Sequence, residues 1–263
     1  MNSLDAKLLN AVCARDGLPW RVEVASEVTS TSDLLRLAAQ AGEAEGRVLF
    51  AEAQTQGRGR RDSLWITPPG KDLMFSLLLR PAVPVARWPR ITTLAALAVC
   101  RAIEQEFPLV PQVKWPNDIY IGDRKVGGLL AEVAMGKNGM ALVLGIGLNV
   151  NTQEFPAELA GQATSLLREL STPVPYLDRQ RLAQVLLAEL HSQLQRLDDS
   201  FSDAVAEVRA RSWLLGRQIR ATVDGHEIYG RALDLDTEGH LVLALPDGST
   251  THLTSADGVR KVM

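Results

Sequence analysis

The chain has 263 residues, of which 46% are apolar, and its formal net charge at pH 7 is −3. This length suffices for one large hydrophobic core and a small second domain, and the acidic balance excludes a polyanion-binding surface over the whole protein. Any anion site must therefore be local. The longest apolar stretch, ITTLAALAVC, is too short to span a membrane, and the N-terminus lacks the basic start and apolar run of a signal peptide.

Cysteine usage indicates the compartment. Cys13 and Cys100 are the two cysteines, and neither their number nor their spacing suggests a disulfide framework or a zinc cluster. We therefore expect a cytoplasmic protein without a membrane partner.

Hydrophobic periodicity and turn residues predict the elements in chain order. The first part of the chain is expected to hold a helical arm within residues 1–20, strands at 21–28 and 47–54 around a helix at 30–42, a strand at 72–81 and a helix at 91–107. Residues 111–135 are typical of strand, turn, strand, and residues 140–151 of another strand. A long helix follows, with one face formed by Leu182, Leu186, Leu190, Leu194 and Leu197.

After Trp213 the sequence pattern changes from long helical and strand segments to short strands. Turn signals at Asp224-Gly225, Glu238-Gly239 and Asp247-Gly248 separate short strands, which predicts a small β-barrel. We expect a catalytic domain at residues 1–212 and a barrel at 213–263.

One predicted hairpin brings an acid and a base together. A two-residue turn at Gly122-Asp123 pairs Tyr120 with Lys125, so that Asp118 and Lys125 share a face as diagonal neighbours, roughly 7–8 Å apart at the backbone. The two side chains form either a plain surface ion pair or a metal ligand beside an anion clamp. Two glycines within a strand, at Gly127 and Gly128, favour close approach of a ligand or of another backbone.

A short segment, EAQTQGRGRRDSLW at residues 52–65, concentrates positive charge. Gly57 and Gly59 free the backbone to face an anion, while Arg58, Arg60 and Arg61 supply forked donors. The alternatives are a solvated turn and an RNA contact. Because the rest of the chain is acidic and lacks interleaved aromatics, a small anionic ligand fits better.

Four segments taken together resemble one family. The motifs STS at 30–32, EAQTQGRGRR at 52–61, KWPNDIYIGDRKVGGLLAE at 114–132 and GIGLNVN at 145–151 are similar to those of the biotin protein ligases, the biotin–acetyl-CoA-carboxylase ligases. The resemblance spans about residues 20–260. It implies a mixed α/β sheet domain flanked by helices, with a C-terminal SH3-like barrel. It also implies that ATP and Mg²⁺ are used to convert biotin to biotinyl-5′-AMP, and that biotin then passes to a lysine of the biotin carboxyl carrier protein of acetyl-CoA carboxylase.

The resemblance assigns roles position by position. Catalysis falls to Lys125, Asp118 and Arg60, with Asp118 also helping to place Mg²⁺. Biotin contacts are expected from Ser30, Thr31, Ser32, Gln54, Gly57, Arg58, Gly59, Arg60, Lys125, Gly127 and Gly128. ATP contacts are expected from Arg58, Arg60, Arg61, Trp65, Lys114, Asn117 and Asn149.

Two positions depart from the family pattern. Ser32 stands where the family usually has Asn, and Asp62 where it usually has Gly. Ser32 is shorter and is expected to lose a ligand contact, whereas Asp62 is expected to pin Arg61 in the free protein.

Three further expectations concern partners and competing functions. About twenty residues precede the first strand, too few for a DNA-binding helix-turn-helix domain, so no nucleic acid partner is expected. The protein is expected to be a monomer or a homodimer. The competing functions are a lipoate or octanoate ligase with the same fold and a biotin or nucleotide sensor without turnover.

Overall fold

The computed structural model describes residues 3–60 and 63–262. Its helices are α1 Ala6–Arg15, α2 Thr31–Ala41, α3 Arg90–Glu106, α4 Leu166–Glu169, α5 Arg179–Leu194 and α6 Phe201–Ala210. Its strands are β1 Arg21–Ala25, β2 Arg47–Ala51, β3 Leu73–Leu79, β4 Gln112–Lys114, β5 Asp118–Ile121, β6 Arg124–Gly136, β7 Gly139–Leu148, β8 Gln218–Val223, β9 His226–Leu235, β10 Leu241–Ala244, β11 Thr250–Leu253 and β12 Asp257–Lys261.

A seven-stranded mixed sheet forms the larger part, in the order β1-β2-β3-β7-β6-β5-β4. Only β1 and β2 are parallel, because α2 connects them, and the other neighbours are antiparallel. All seven residues of β3 are buried, which fits its position between β2 and β7. The predicted mixed sheet is confirmed.

Helices cover the two faces of this sheet. The main core contains α3 and α5, where Leu182, Leu186 and Leu190 are fully buried. A smaller core lies under α2 and includes Leu35, Ala39 and Leu78. The predicted leucine face continues beyond the helix, because α5 ends at Leu194 and Leu197 follows its C-cap.

Local signals account for α2, whose first turn enters the site. Ser30 has an extended backbone and its hydroxyl accepts a hydrogen bond from Asp33 N at 3.3 Å. At the other end Gly42 has φ +95°, a left-handed conformation that glycine adopts without the strain of a Cβ atom. The helix predicted at residues 30–42 is confirmed, with its two caps at the ends of that range.

The segment 111–135 holds three strands where two were expected. A turn that includes a cis Trp115-Pro116 bond separates β4 from β5, and β5 then pairs with β6. The hairpin register is confirmed, since Tyr120 lies opposite Lys125. A bulge between Ile119 and Tyr120 shifts the following pairs, so Asp118 lies opposite Gly128.

A second, antiparallel sheet follows in the order β11-β10-β9-β8-β12, and it is the small C-terminal β-domain that was expected. The three turn signals lie in the turns that join β8 to β9, β9 to β10 and β10 to β11, where Gly225, Gly239 and Gly248 have positive φ. The division at residue 213 falls in the connection before β8 and stays a prediction.

Two tryptophans join the second sheet to the first. Trp115 Nε1 donates to Gly239 O at 3.0 Å, and Trp213 Nε1 donates to Gly122 O at 2.9 Å. The latter bond attaches the turn of the β5–β6 hairpin to the segment that leads into β8.

Both cysteines are buried and free. Within residues 3–60 and 63–262, none of the helices is both long and apolar enough to cross a lipid bilayer.

Candidate active site

A cavity of about 510 Å³ opens over β6 and β7, between the first turn of α2, the arginine segment and the end of the C-terminal sheet. Seven of the described residues that line it are charged. The cations are Arg58, Arg60, Lys114, Lys125 and Arg260, and the anions are Asp118 and Asp257. The cavity is therefore a local site for an anion in a chain whose net charge is −3.

The β5–β6 hairpin supplies the central pair. Lys125 Nζ lies 2.5 Å from Asp118 Oδ1. The backbone of Lys125 is also fixed, because its N–H donates to Gln162 O and its carbonyl accepts from Thr164 N, both at 2.8 Å. The ammonium group is held in place without a ligand, as a preorganised charge requires.

Lys114 stands on the other side of Asp118. Its Nζ is 3.9 Å from Asp118 Oδ2 and donates to Tyr120 Oη at 3.0 Å. Burial lowers the pKa of Lys114 below its ordinary value, against the opposing effect of Asp118. Burial and the nearby Asp118 raise the pKa of Tyr120 to about 12, so its hydroxyl stays protonated.

Arg58 of the glycine-arginine segment is paired with acids. Arg58 Nη2 contacts Asp33 Oδ1 at 3.2 Å and also contacts the carboxylate of Glu132. Arg36 shares Asp33, since Arg36 Nη2 donates to Asp33 Oδ1 at 2.9 Å. Two guanidinium groups and two carboxylates thus form a neutral cluster at one wall of the cavity.

Arg60 reaches the C-terminal sheet. Its Nη2 lies 2.8 Å from Asp257 Oδ1, and its Nη1 donates to Asn117 Oδ1 and to Ala256 O, each at 3.2 Å. Neighbouring arginines would repel one another if nothing neutralised them. Arg58 and Arg60 each have a carboxylate partner, because the tertiary structure brings acids from distant segments to them.

Trp65 follows the segment and lies on the floor of the cavity. A Cβ atom at Gly147 would be 2.5 Å from the indole, so the ring packs on bare backbone there. Lys125 Nζ is 5.6 Å from the centroid of the ring. The indole Nε1 is buried without a hydrogen-bond partner, and so is Asn149 Oδ1. A donor and an acceptor are therefore both left unsatisfied in the wall, as expected of a polar ligand's site.

The far end of the cavity is formed by the first turn of α2 and by Gln54. Ser30, Thr31 and Ser32 are all buried. Gln54 Oε1 accepts from Thr31 N at 2.8 Å, which fixes the orientation of its amide.

Most of the predicted residues meet in this cavity. Its lining includes Ser30, Thr31, Ser32, Gln54, Arg58, Gly59, Arg60, Trp65, Lys114, Asn117, Asp118, Lys125, Gly128 and Asn149. Gly57 and Gly127 do not line it: a Cβ atom at Gly57 would meet Trp65 O at 2.5 Å, and one at Gly127 would meet Gly147 O at 3.1 Å. Both make room for backbone. Arg61 and Asp62 lie outside the described residues, so the expected pair between them stays a prediction.

Other lining residues were not anticipated. Asp257 and Arg260 come from β12, the last strand of the C-terminal sheet, and Phe155 and Gln162 come from the segment after β7. Glu132, the partner of Arg58, is part of the 114–132 motif. Its carboxylate in an apolar strand is a local pattern that could have indicated a role in the site.

A metal ion has limited ligands here. Across residues 3–60 and 63–262, no group of three or more His, Cys, Asp or Glu side chains is arranged to hold one. Asp118 offers a carboxylate that faces the cavity. Mg²⁺ commonly takes one or two protein carboxylates, with substrate phosphates and waters as the other ligands. Asp118 thus fits an ion that arrives with a nucleotide better than a resident ion.

Comparison with known proteins agrees with this geometry. Residues 24–149 match the biotin/lipoate A/B protein ligase family, and residues 214–257 match the biotin protein ligase C-terminal domain. The biotin–acetyl-CoA-carboxylase ligase of Mycobacterium tuberculosis is 35% identical, over 97% of this chain and 95% of that protein. The bifunctional ligase/repressor BirA of Bacillus subtilis is 34% identical over 78% of this chain and 63% of its own length.

A solved structure agrees as well. The biotin protein ligase of Aquifex aeolicus, in complex with biotin and ATP, superposes with a TM-score of 0.80 at 26% identity, over 92% of this chain and 99% of that one. The mixed sheet and the small antiparallel C-terminal sheet place the chain in the class of protein ligases to which these relatives belong. The chain belongs to the biotin/lipoate A/B protein ligase family and, within it, to the biotin protein ligases.

Proposed function

We propose that this chain joins biotin to ATP, forming biotinyl-5′-AMP and pyrophosphate, and then transfers the biotinyl group to a lysine of a biotin carboxyl carrier protein. The observation that carries the proposal is the position of Lys125. Its ammonium group, fixed by Asp118 at 2.5 Å, lies in a cavity that Arg58 and Arg60 also line. The relatives are named for this activity, and one was solved with biotin and ATP.

The first step brings two anions together. An oxygen of the biotin carboxylate attacks the α-phosphorus of ATP, a P–O bond forms, and the bond to pyrophosphate breaks. Repulsion between the carboxylate and the phosphates opposes this approach unless fixed cations offset it. Lys125, Arg58 and Arg60 supply that charge before the substrates arrive, so no reorganisation is needed during the reaction.

Asp118 has two tasks in this proposal. It holds Lys125 in place, and it offers a carboxylate to the Mg²⁺ that accompanies ATP. The bound ion would neutralise phosphate charge and orient the pyrophosphate leaving group. Lys114, on the far side of Asp118, is close enough to the same carboxylate to meet the phosphates as well.

The adenosine side is assigned to Trp65 and Asn149. A flat indole packed on Gly147 can stack against a base, and its unpartnered Nε1 can donate to an acceptor of the ligand. Asn149 Oδ1 can accept from an amino group. The amide of Asn149 is already oriented, since its Nδ2 donates to Thr164 O at 2.9 Å.

The biotin head is assigned to the opposite end, at Ser30, Thr31, Ser32 and Gln54. In the second step the amine of the carrier lysine attacks the acyl carbon of biotinyl-5′-AMP. An amide bond forms, the acyl–oxygen bond breaks, and AMP and a proton leave. Arg60 and its neighbours exclude water in the meantime and so protect the anhydride from hydrolysis.

The test is ATP–pyrophosphate exchange measured with biotin, lipoate or octanoate as the acid. Exchange with biotin alone supports the proposal. Exchange that prefers lipoate or octanoate would assign the chain to the other branch of its family. Binding of biotin without any exchange would make it a sensor.

Transfer needs a separate assay. Labelled biotin and ATP are incubated with the carrier domain of acetyl-CoA carboxylase and with a carrier whose acceptor lysine is replaced by arginine. Label on the first carrier and none on the second supports the proposed acceptor. The expectations of a cytoplasmic location, of a monomer or homodimer and of no nucleic acid partner stay predictions.

A further inference from the structure

Ser76 is the one polar residue of β3, a strand otherwise made of Leu, Met and Phe, and it is fully buried. A lone hydroxyl in the centre of an apolar strand costs free energy unless it is hydrogen-bonded. Ser76 Oγ is 2.8 Å from Thr31 Oγ1 and 2.9 Å from Ser32 Oγ. Thr31 Oγ1 is in turn 3.2 Å from Gln54 Oε1. The four side chains form a continuous chain from Gln54 to Ser32.

The direction of the hydrogen bonds along this chain follows from one backbone group. Thr31 N–H donates to the side chain of Gln54, so the atom that faces it is the oxygen Oε1. An amide oxygen only accepts, and the Thr31 hydroxyl must therefore donate its single proton to it. Thr31 Oγ1 then accepts from Ser76.

The same reasoning gives the hydrogen-bond directions of the two remaining hydroxyls, those of Ser76 and Ser32. Ser76 has used its proton on Thr31 and can only accept from Ser32. Ser32 has then used its proton on Ser76 and keeps lone pairs alone, and it is one of the residues that line the cavity. Ser32 thus offers an acceptor and no donor. Among the described residues, Gln54 Nε2 meets the weak thioether acceptor of Met74 at 3.5 Å and stays a donor for a ligand.

Gly145 provides the space that this arrangement needs. It is the cross-strand partner of Ser76 on β7. A Cβ atom at Gly145 would lie 2.6 Å from Ser32 Oγ and 3.5 Å from Ser76 Oγ. A larger residue would displace Ser32 from the chain. The shorter side chain at Ser32 therefore does not simply lose a contact: its hydroxyl is coupled to the strand below.

We infer that Ser76 is a positioning residue for substrate specificity: it transmits the orientation set by Thr31 N–H and makes Ser32 an obligate acceptor. The inference rests on the proposed function. The ligand head must then present an N–H to Ser32 and an acceptor to Gln54. A cyclic urea has both groups. A ring with an oxygen in place of that N–H would instead bring its oxygen against the Ser32 oxygen, so that two acceptors oppose each other.

The experiment compares biotin with its two cyclic carbamate analogues, in each of which oxygen replaces one ring N–H. Dissociation constants are measured by calorimetry for the parent, Ser76→Ala, Ser32→Ala and the double variant. In Ser76→Ala the Ser32 hydroxyl is free to turn and donate. We expect biotin affinity to fall roughly three- to tenfold, the size of one net hydrogen bond. For one carbamate the ratio of biotin to analogue affinity should fall by at least as much.

Coupling separates this role from simple loss of packing. In the Ser32→Ala background, Ser76→Ala should change biotin affinity less than twofold, because Ser76 acts through Ser32. Ser212→Ala is the matched control, since it removes a hydroxyl bonded to backbone N–H groups outside the cavity, and affinity should not change. Ser76→Cys keeps the shape of the side chain in a slightly larger form with a weak donor, and it should shift the ratio in the same direction.

The outcomes are distinct. Equal losses for biotin and both carbamates, or additive losses in the double variant, would overturn the inference while the proposed function stands. A parent protein that does not bind biotin would overturn both.

Discussion

Lys125 Nζ and Asp118 Oδ1, 2.5 Å apart, join β6 to β5 across the bulge of the hairpin. Between an exposed lysine and aspartate such a pair contributes little to stability. Here both side chains face a cavity with four other cations in its described lining. The pair therefore fixes a charge in position more than it stabilises the fold.

Replacing Lys125 tests that charge directly. Lys125→Ala should lower the rate of adenylate formation by two to three orders of magnitude, equivalent to the ~3–4 kcal/mol typical of one preorganised donor. Single-turnover formation of biotinyl-5′-AMP is the measurement. Lys137→Ala, an exposed lysine at the tip of the β6–β7 hairpin, should behave like the parent. A folded Lys125→Ala protein with near-normal adenylation would refute the assignment.

Asp118→Asn should act on the nucleotide more than on biotin. The amide keeps the size of the side chain but loses the charge that Mg²⁺ prefers, so the Mg²⁺ and ATP concentrations needed for half-maximal exchange should rise well above that for biotin. Asp123→Asn, an exposed carboxylate in the turn of the same hairpin, is the control. Titrations in which only the biotin requirement changes would show that Asp118 is wrongly placed in the mechanism.

Arg60→Gly removes the link between the glycine-arginine segment and Asp257. Adenylate should still form, because Lys125 remains, but it should escape. The measurement is the labelling of a bystander protein's lysines by released biotinyl-5′-AMP, which should exceed that of the parent. Arg15→Gly removes an exposed arginine that pairs with the neighbouring Asp16, and it serves as control. Hydrogen exchange of residues 56–60 should slow when biotin and ATP bind. Equal protection with and without ligand would show that this segment does not close over the ligand.

Lys114 should give the ATP reaction a characteristic alkaline limit. Burial lowers its pKa from the ordinary 10.5, so the side chain loses its charge at a lower pH than an exposed lysine would. We expect kcat/KM for ATP to fall as pH rises through the window below 10.5. Lys114→Arg stays charged in that window and should move the fall to higher pH, whereas Lys137→Arg should not. Identical profiles for parent and Lys114→Arg would exclude Lys114 from phosphate binding.

The lowered pKa of Lys114 also makes the stability of the fold depend on pH. Because the folded state holds the Lys114 proton less tightly than the unfolded state, burial of the charge destabilises the fold below the lowered pKa. This penalty disappears as pH rises toward 10.5.

Asp72 should matter for stability beside the site. Its buried carboxylate accepts from the backbone N–H groups of residues 150–152 and from the Thr152 hydroxyl, directly after Asn149. Asp72→Ala leaves these donors unsatisfied and should lower the free energy of unfolding by about 3 kcal/mol, measured by denaturant titration. Asp198→Ala, which removes an exposed carboxylate, should cost less than about 1 kcal/mol. Equal effects would mean that the Asp72 hydrogen bonds do not hold this turn.

Local patterns in the sequence predicted much of this architecture. Alternation and a two-residue turn were enough to pair Tyr120 with Lys125, because register near a tight turn depends on neighbouring residues alone. The cap at Ser30 and the stop at Gly42 are local for the same reason. The other site residues were predicted from the resemblance to the biotin protein ligases, because the motifs of that family assign a role to each position.

The missing parts are those that depend on distant segments. The sequence did not indicate that β4 and β5 are separate strands, nor that Arg60 meets Asp257 almost two hundred residues further along the chain. The sequence predicted that Arg58 contacts an anionic ligand, but it did not indicate the pairing of Arg58 with Asp33 and Glu132 from two other elements. In the sequence, Ser76 is a single polar residue within an apolar strand. The structure shows that its hydroxyl contacts those of Thr31 and Ser32.

The sequence by itself thus determined the order of elements, the turn positions and the chemical groups that the site has at its disposal. Periodicity and turn chemistry are short-range properties, and they can be read from neighbouring residues. The tertiary structure decided which charges neutralise one another and in which direction the buried hydroxyls donate. Those features depend on atoms brought within about 3 Å by packing, and no spacing along the chain encodes such distances.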